Sequence, residues 1–331
     1  MPALGDLHRL ALPTPFPVGP VNAYLLEGDP LTLVDPGPAY GPAWRALRSS
    51  LDRLGHRLED VRRLLITHPH LDHFGAAASV VAISGAEVLA HHLALPWLTS
   101  LDGEWVRRAG FLRAEFARLG APGPAIQGLE ASMRRLGRYA RPVSEARGLE
   151  DGDELELGGK VWRVLHTPGH SSGCVCLYDP LTRRLLSGDY LLQGISSNAL
   201  LEPPQETGRP RERSLLTYLA SLRRGGEWDV ERVFPGHGRA FGDHRGVIDR
   251  RFRHYDRRQA RLARLLAAAG DRGLTAHAIC RLLFPSLGPD GLFLGLSEVV
   301  GHLDLLAAGG RLEERPDGEV SRFVLSAREE E

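Results

Sequence analysis

The chain has 331 residues and a mass of 36.3 kDa, enough for two domains of ordinary size. Hydrophobic residues make up 43% and charged residues 25%, which leaves room for a packed core and excludes disordered, collagen-like and supercharged classes. Forty-one basic side chains balance 41 acidic ones, so the whole molecule offers no net field to nucleic acid or to an anionic membrane.

All the basic residues but Lys160 are arginine, a bias of the kind a GC-rich genome imposes. No run approaches the roughly 18 consecutive apolar residues of a membrane span. The first residues lack the charged-then-apolar order of a signal peptide, so a cytoplasmic protein is expected. Cys174, Cys176 and Cys280 are too few for a disulfide framework and read as small buried hydrophobes.

Short apolar runs at 7–12, 22–26 and 31–34, the last two split by Gly28-Asp29-Pro30, predict a β-meander. Helical spacing at 42–54 follows, then a buried strand at 61–67, a small-residue helix from 74 to 81 and a strand at 86–90. Residues 93–147 break this rhythm. Trp105, Ala109, Leu112, Phe116 and Leu119 mark one face of a helix, and a second helix is expected at about 127–139. Strands return at 161–165, 173–178, 184–187 and 230–234, with a helix at 214–222. From 245 onward the pattern is helical: a long Arg-rich helix, one at 275–284 capped by Thr275, and one at 297–307 capped by Ser297. Two short strands close the chain. The expected fold class is α/β, with domains at 1–244, including a helical cap at 93–147, and at 245–331, the latter winged-helix-like.

The strongest chemical signal is Thr67-His68-Pro69-His70-Leu71-Asp72-His73. It stands at the end of a buried strand, just before a helix. His68 and His70 point the same way in extended backbone, and Asp72 and His73 reach the same space from the turn. Imidazole and carboxylate are the ligands that zinc and its first-row neighbours prefer. Three more candidates each end a predicted strand in a glycine-flanked turn: His170, Asp189 and His237. Glycine beside a ligand lets the backbone turn sharply.

With these residues the chain resembles the metallo-β-lactamase superfamily over residues 1 to about 242. The resemblance implies an αββα sandwich with two metal ions at one edge of its sheets. It assigns His68, His70 and His170 to one ion, and Asp72, His73 and His237 to the other. It also implies that Asp189 bridges both and that Asp35 supports the ligands from behind. Zinc is the default metal, with iron or manganese also suited to the set. A water shared by two such ions is acidic enough to supply hydroxide near neutral pH, so Asp72 and Asp189 with that hydroxide are the expected catalytic groups.

Spacing narrows the branch. The chain has the bridging Asp189 that similar zinc β-lactamases lack. It has His70 where flavodiiron proteins carry Glu. Only 48 positions separate Asp189 from His237, too few for the inserted domain of β-CASP nucleases. Glyoxalase-II-like thioesterases share the full set. The group resembling the mitochondrial metallo-β-lactamase-like endoribonuclease also appends a winged helix.

The expected function is therefore a dinuclear metallohydrolase acting on a small anionic ester or thioester. The alternatives are a metal-dependent endoribonuclease or phosphodiesterase, which would engage RNA, and a non-catalytic winged-helix binding protein with a vestigial metal site. Residues 93–147 hold nine arginines against five acids, which suggests a cap that selects a negative substrate through Arg107 and Arg108. Tyr190, beside Asp189, is a further expected substrate contact. The third C-terminal helix, with Glu298 and Asp304 and no Arg or Lys, is unsuited to duplex DNA and is expected to serve packing or dimerisation.

Overall fold

The structure is a computed structural model that describes residues 6–206, 208–288 and 291–326. Its first sheet runs β1 (Leu7–Leu12), β2 (Val21–Leu26), β3 (Thr32–Val34), β4 (Arg63–Ile66), β5 (Glu87–His91) and β6 (Arg147–Leu149), in that spatial order. The expected meander forms the antiparallel part, and β3 to β6 are parallel. The second sheet orders β7 (Glu154–Leu157), β8 (Lys160–His166), β9 (Val175–Asp179), β10 (Arg184–Gly188) and β11 (Arg232–Pro235) from one edge to the other, antiparallel except for the last pair. β6 has no apolar alternation of its own (Arg-Gly-Leu) and is held by its pairing with β5.

Strand alternation builds the layers. Along β2, Tyr24 and Leu26 face the second sheet, where they meet Trp162, Leu177 and Phe234. Ala23 and Leu25 face outward onto α1 (Gly41–Arg53), where Leu47 and Leu51 are buried. The central β4 buries both faces, which explains its unbroken apolar run. Beyond α2 (Leu71–Phe74), α3 (Ala77–Ser84) completes this outer layer. On the far side α7 (Ser214–Gly226) and the start of α8 (His244–Ala269) cover the second sheet through Tyr218, Leu222, Val247 and Tyr255. The result is the four-layer αββα sandwich.

The cap consists of α4 (Leu95–Thr99), α5 (Leu101–Arg118) and α6 (Gly123–Gly137). Its expected apolar stripe is real, and it packs against the C-terminal segment. Leu112, Phe116 and Leu129 share one core with Leu262 of α8, Ile279 of α9 (Ala276–Leu283), Leu296 of α10 (Leu292–Ala308) and Phe323 of the hairpin β12 (Leu312–Asp317) and β13 (Val320–Leu325). Helix α8 belongs to both bodies, since Val247 and Tyr255 pack on the sandwich while Leu262 and Leu266 pack in the shared core.

Thr275 caps α9 as expected, accepting the Ala278 N–H at 3.1 Å. Ser297 does not cap α10. That helix starts five residues earlier, and the buried Ser297 hydroxyl accepts the Leu201 N–H at 3.1 Å. A residue type favoured at helix starts is used here for a tertiary bond. No helix among the described residues is long and apolar enough to cross a membrane.

The shared core makes cap and C-terminal segment mutually dependent. Leu296→Ala, at a fully buried position, is expected to destabilise the protein by about 2–5 kcal/mol in urea unfolding, and to make α5 and α6 more accessible to protease in the native state. A loss below about 1 kcal/mol with unchanged proteolysis would mean that the two pieces do not support each other.

Candidate active site

The site lies where strands of both sheets end. Asp35 follows β3, the 67–73 motif follows β4, Asp189 follows β10 and His237 closely follows β11. Because β3 and β4 run parallel, as do β10 and β11, each pair delivers its carboxyl ends to the same rim. The two rims are stitched together by backbone bonds, Val175 N–H to Thr67 C=O at 2.8 Å and Asn22 N–H to Gly236 C=O at 2.7 Å.

Asp35 organises the first rim. It is 2% exposed and holds a left-handed backbone, φ 52°, that a non-glycine residue rarely adopts. Its Oδ1 accepts the Thr67 N–H at 2.8 Å, and its Oδ2 accepts the Thr67 hydroxyl at 2.6 Å and the His73 Nδ1–H at 2.8 Å. With the Thr67 proton committed to Asp35, the His68 Nδ1 at 3.0 Å donates to the Thr67 oxygen.

The other histidines are oriented the same way. His170 Nδ1–H donates to the Asn198 carbonyl at 2.7 Å, and His237 Nδ1–H to the Pro20 carbonyl at 2.8 Å. Four imidazoles thus spend Nδ1 on support and turn Nε2 toward the site. Glycine permits the crowding. A Cβ on Gly236 would lie 2.3 Å from Asp189 Oδ1 and 2.7 Å from His73 Cε1, and one on Gly169, at φ +134°, would strike the Tyr218 backbone.

The donor atoms converge in two triads. Ligand atoms of His68, His70 and His170 lie within 4.8 Å of one another, as do those of Asp72, His73 and His237. Asp189 stands between them, with Oδ1 3.5 Å from His73 Nε2 and Oδ2 3.7 Å and 3.6 Å from Nε2 of His170 and His237. The Nε2 atoms of all five histidines and Asp189 Oδ1 are buried without a hydrogen-bond partner among the described residues. Each such orphan costs about 1–3 kcal/mol, and a bound cation satisfies several of them at once. The His/Asp cluster is a divalent-metal site. Asp35 also lies close to His68 and His73, but both its oxygens are already taken, which leaves it a supporting role.

The electrostatics suit that charge. Burial, with the neighbouring imidazoles, pushes His68 and His70 well below the usual histidine range, so they are neutral donors. Burial alone would do the same to His73, but the Asp189, Asp35 and Asp72 carboxylates outweigh it and raise it to about 10. Burial works to raise Asp72, yet His73 and His237 hold it well below the carboxylate range.

A cavity of about 410 Å³ opens from the site. His70, Asp72, His170 and Asp189 reach into it, while Trp97, Trp105, Leu112 and Met133 of the cap and Phe293 of α10 make much of its wall. Arg108 lines it as well. Two expected contacts are elsewhere. Arg107 donates to both oxygens of Glu104 and to the Pro204 carbonyl at 2.8 Å, and it does not line the cavity. Tyr190 is buried behind Asp189, its hydroxyl donating to the Ser221 carbonyl at 3.0 Å among Tyr218 and Trp228.

Sequence reasoning missed Phe293, Leu294 and Glu202, because no local pattern marks a wall residue that arrives through long-range packing. A separate group, His91, His92 and Glu150, is accounted for structurally. His91 stacks on His166 at 3.8 Å and caps the following turn, and His92 pairs with Glu150 at 2.8 Å.

A protonated His73 must lose its proton before Nε2 can bind a metal ion. Metal uptake by metal-free protein at pH 7 is therefore expected to release protons, and apparent affinity to rise with pH up to about 10. Calorimetric titrations in two buffers of different ionisation enthalpy check this; heats independent of the buffer would contradict it.

Comparison with known proteins agrees with the geometry. The "Probable metallo-hydrolase YqjP" of Bacillus subtilis is 34% identical over 305 residues, 92% of each chain. The "Acyl-coenzyme A thioesterase MBLAC2" of Bos taurus is 32% identical over 190 residues, 54% of this chain and 57% of that protein. The crystal structure of a metallo-β-lactamase family protein, TTHA1429 of Thermus thermophilus, superposes with a TM-score of 0.80 at 27% identity, covering 98% of this chain and 99% of the other. The model of the metallo-β-lactamase superfamily matches residues 16–237, from the loop before β2 to the last histidine of the site, and the chain belongs to that superfamily.

Proposed function

We propose that the protein hydrolyses a carboxylic ester or thioester whose acyl group enters the apolar cavity. In this reading it uses two metal ions, zinc by default. The observation that carries it is a cluster of six buried ligand atoms, unpartnered among the described residues, that opens through His70, His170 and Asp189 onto a cavity walled largely by apolar side chains. His68, His70 and His170 would hold one ion, Asp72, His73 and His237 the other, and Asp189 would touch both. When bound, such a pair supplies Lewis acidity toward a carbonyl oxygen and acidifies water.

The chain's own residues do the remainder. Asp35 and the Pro20 and Asn198 carbonyls fix the imidazole tautomers. Asp72, ionised and open to the cavity, is placed to take the proton that water gives up as it attacks. Trp97, Trp105 and Phe293 exclude water and align an apolar chain. The thioesterase name carried by the MBLAC2 relatives supports a thioester, although those matches span little more than half of each protein.

Cleavage of RNA or of another phosphodiester is disfavoured by the wall. A polyanion needs several cations, and among the described residues the cavity lining has one arginine, already facing Glu202. Nor does α10 offer a reading face for DNA. Most of it is buried, Asp304 is bound bidentately by Arg211, and Glu298 pairs with Arg258.

Three outcomes follow from this proposal. Protein purified without chelator should carry close to two equivalents of metal and turn over medium-chain acyl thioesters in preference to a bis-aryl phosphodiester or a short RNA; turnover of RNA alone would overturn it. Asp189→Ala should lower thioesterase activity by about 100-fold or more while circular dichroism stays native; retention of more than about half the activity would contradict the bridging position. The full chain should bind duplex DNA no tighter than about 10⁻⁶ M at 0.15 M salt; sub-micromolar, sequence-dependent binding would reverse the reading of α10.

A further inference from the structure

One cation in the cavity wall is not used by the hydrolytic chemistry. Arg108, one residue from the fully engaged Arg107, is only 7% exposed and faces the cavity. Its guanidinium carbon lies 5.4 Å from the Trp97 ring centre and 5.0 Å from that of Phe293. Its ion-pair partner, Glu202, is a full 3.9 Å away through Oε1, while Glu202 Oε2 is occupied by the Ser172 N–H at 2.9 Å. Among the described residues its guanidinium makes no hydrogen bond.

This arrangement differs from an ordinary buried ion pair. A guanidinium carries five N–H donors in a rigid planar fork. The aromatic rings attract the cation but accept none of those hydrogens in the plane of the fork. Burying a charge without close partners is strongly unfavourable, so a buried arginine normally has a close carboxylate or several carbonyls. Here the protein supplies one distant oxygen of a carboxylate that also serves Ser172, and an apolar surround in which an added anion would be held strongly. Arg108 lies between Trp105 and Leu112 on the cavity-lining face of α5, and a chain lying against that face would pass it.

We propose that Arg108 is an anion-binding site within the apolar cavity and that its ligand is a carboxylate carried on an apolar chain. The site therefore takes amphiphilic acids rather than small polar anions or neutral lipids. The inference rests on the proposed function only in taking the cavity as the substrate site. A carboxylate can arise there in two ways: as a second acid group on the substrate, or as the product of hydrolysis, since thioester and water give carboxylate, thiol and a proton.

The test is binding to metal-loaded protein, followed by tryptophan fluorescence or calorimetry, with decanoate, decanol and decyltrimethylammonium as probes. The wild type should prefer decanoate over decanol by about tenfold or more, and reject the cation. Arg108→Met should abolish the preference while leaving decanol binding nearly unchanged. Glu202→Gln, which keeps an acceptor for Ser172 but removes the competing charge, should strengthen decanoate binding and serves if the arginine variant does not fold.

A preference that survives Arg108→Met overturns the proposal, and its disappearance on chelation would then place the anion on the metal. Kinetics distinguish the sources. If Arg108 reads a second acid group, Arg108→Met raises KM for a mono-thioester of decanedioic acid and not for a decanoyl thioester. If it reads the product, the variant instead relieves inhibition by decanoate with both. Should no ester be hydrolysed while decanoate binding still depends on Arg108, the hydrolase reading falls and the anion site stands.

Discussion

The structure turns on a concentration of buried lone pairs. Five imidazole nitrogens and a carboxylate oxygen are brought from two sheets into one small volume with no hydrogen-bond donor to meet them. In a metal-free molecule only protons relieve this, and the surrounding carboxylates favour them on His73 and on His237. Any divalent cation does so better, because it faces several lone pairs at once. Strand ends, glycine turns and tautomer-fixing bonds around the site all serve to bring those lone pairs together.

Asp35 shows how far that organisation reaches. One buried carboxylate locks the turn after β4 through Thr67 and sets the proton on His73 directly; through the Thr67 hydroxyl it also sets the proton on His68. A rare backbone conformation is tolerated at this residue because three hydrogen bonds over-determine it. The contrast with the cavity is informative. There Arg108, the only arginine in the lining among the described residues, is held by rings and one remote oxygen rather than by a network. A fully satisfied carboxylate reads as scaffold, and a poorly satisfied cation beside a cavity reads as recognition.

Much of the site was legible in the sequence because its signals are local. Three histidines and an aspartate in six positions need no tertiary information, and His170, Asp189 and His237 each sit in a glycine turn at the end of an apolar run. The layers of the sandwich were legible for the same reason, as strand alternation fixes which residue faces which neighbour. What escaped depends on packing between distant segments. Helical spacing sets Arg108, not its neighbour Arg107, on the face shared by Trp105 and Leu112, but that this face borders a cavity depends on Phe293 arriving from α10 and Glu202 from the loop. Tyr190 adjoins Asp189 in sequence but turns toward Ser221 and the opposite side of the sheet. Ser297 looked like a helix cap because its bond to Leu201 cannot be foreseen from spacing.

The C-terminal segment, read from sequence as an appendage, contributes wall to the cavity and core to the cap. The cavity is built from the sandwich, the cap and the C-terminal helix, so its shape depends on the packing of three chain segments. The most direct test of the proposed dinuclear chemistry is anomalous diffraction, at the metal's absorption edge, from crystals of protein purified without chelator. The proposal predicts two peaks in each molecule, one among His68, His70 and His170 and one among Asp72, His73 and His237, with Asp189 next to both. A single peak, or two peaks lying outside these six side chains, would contradict it.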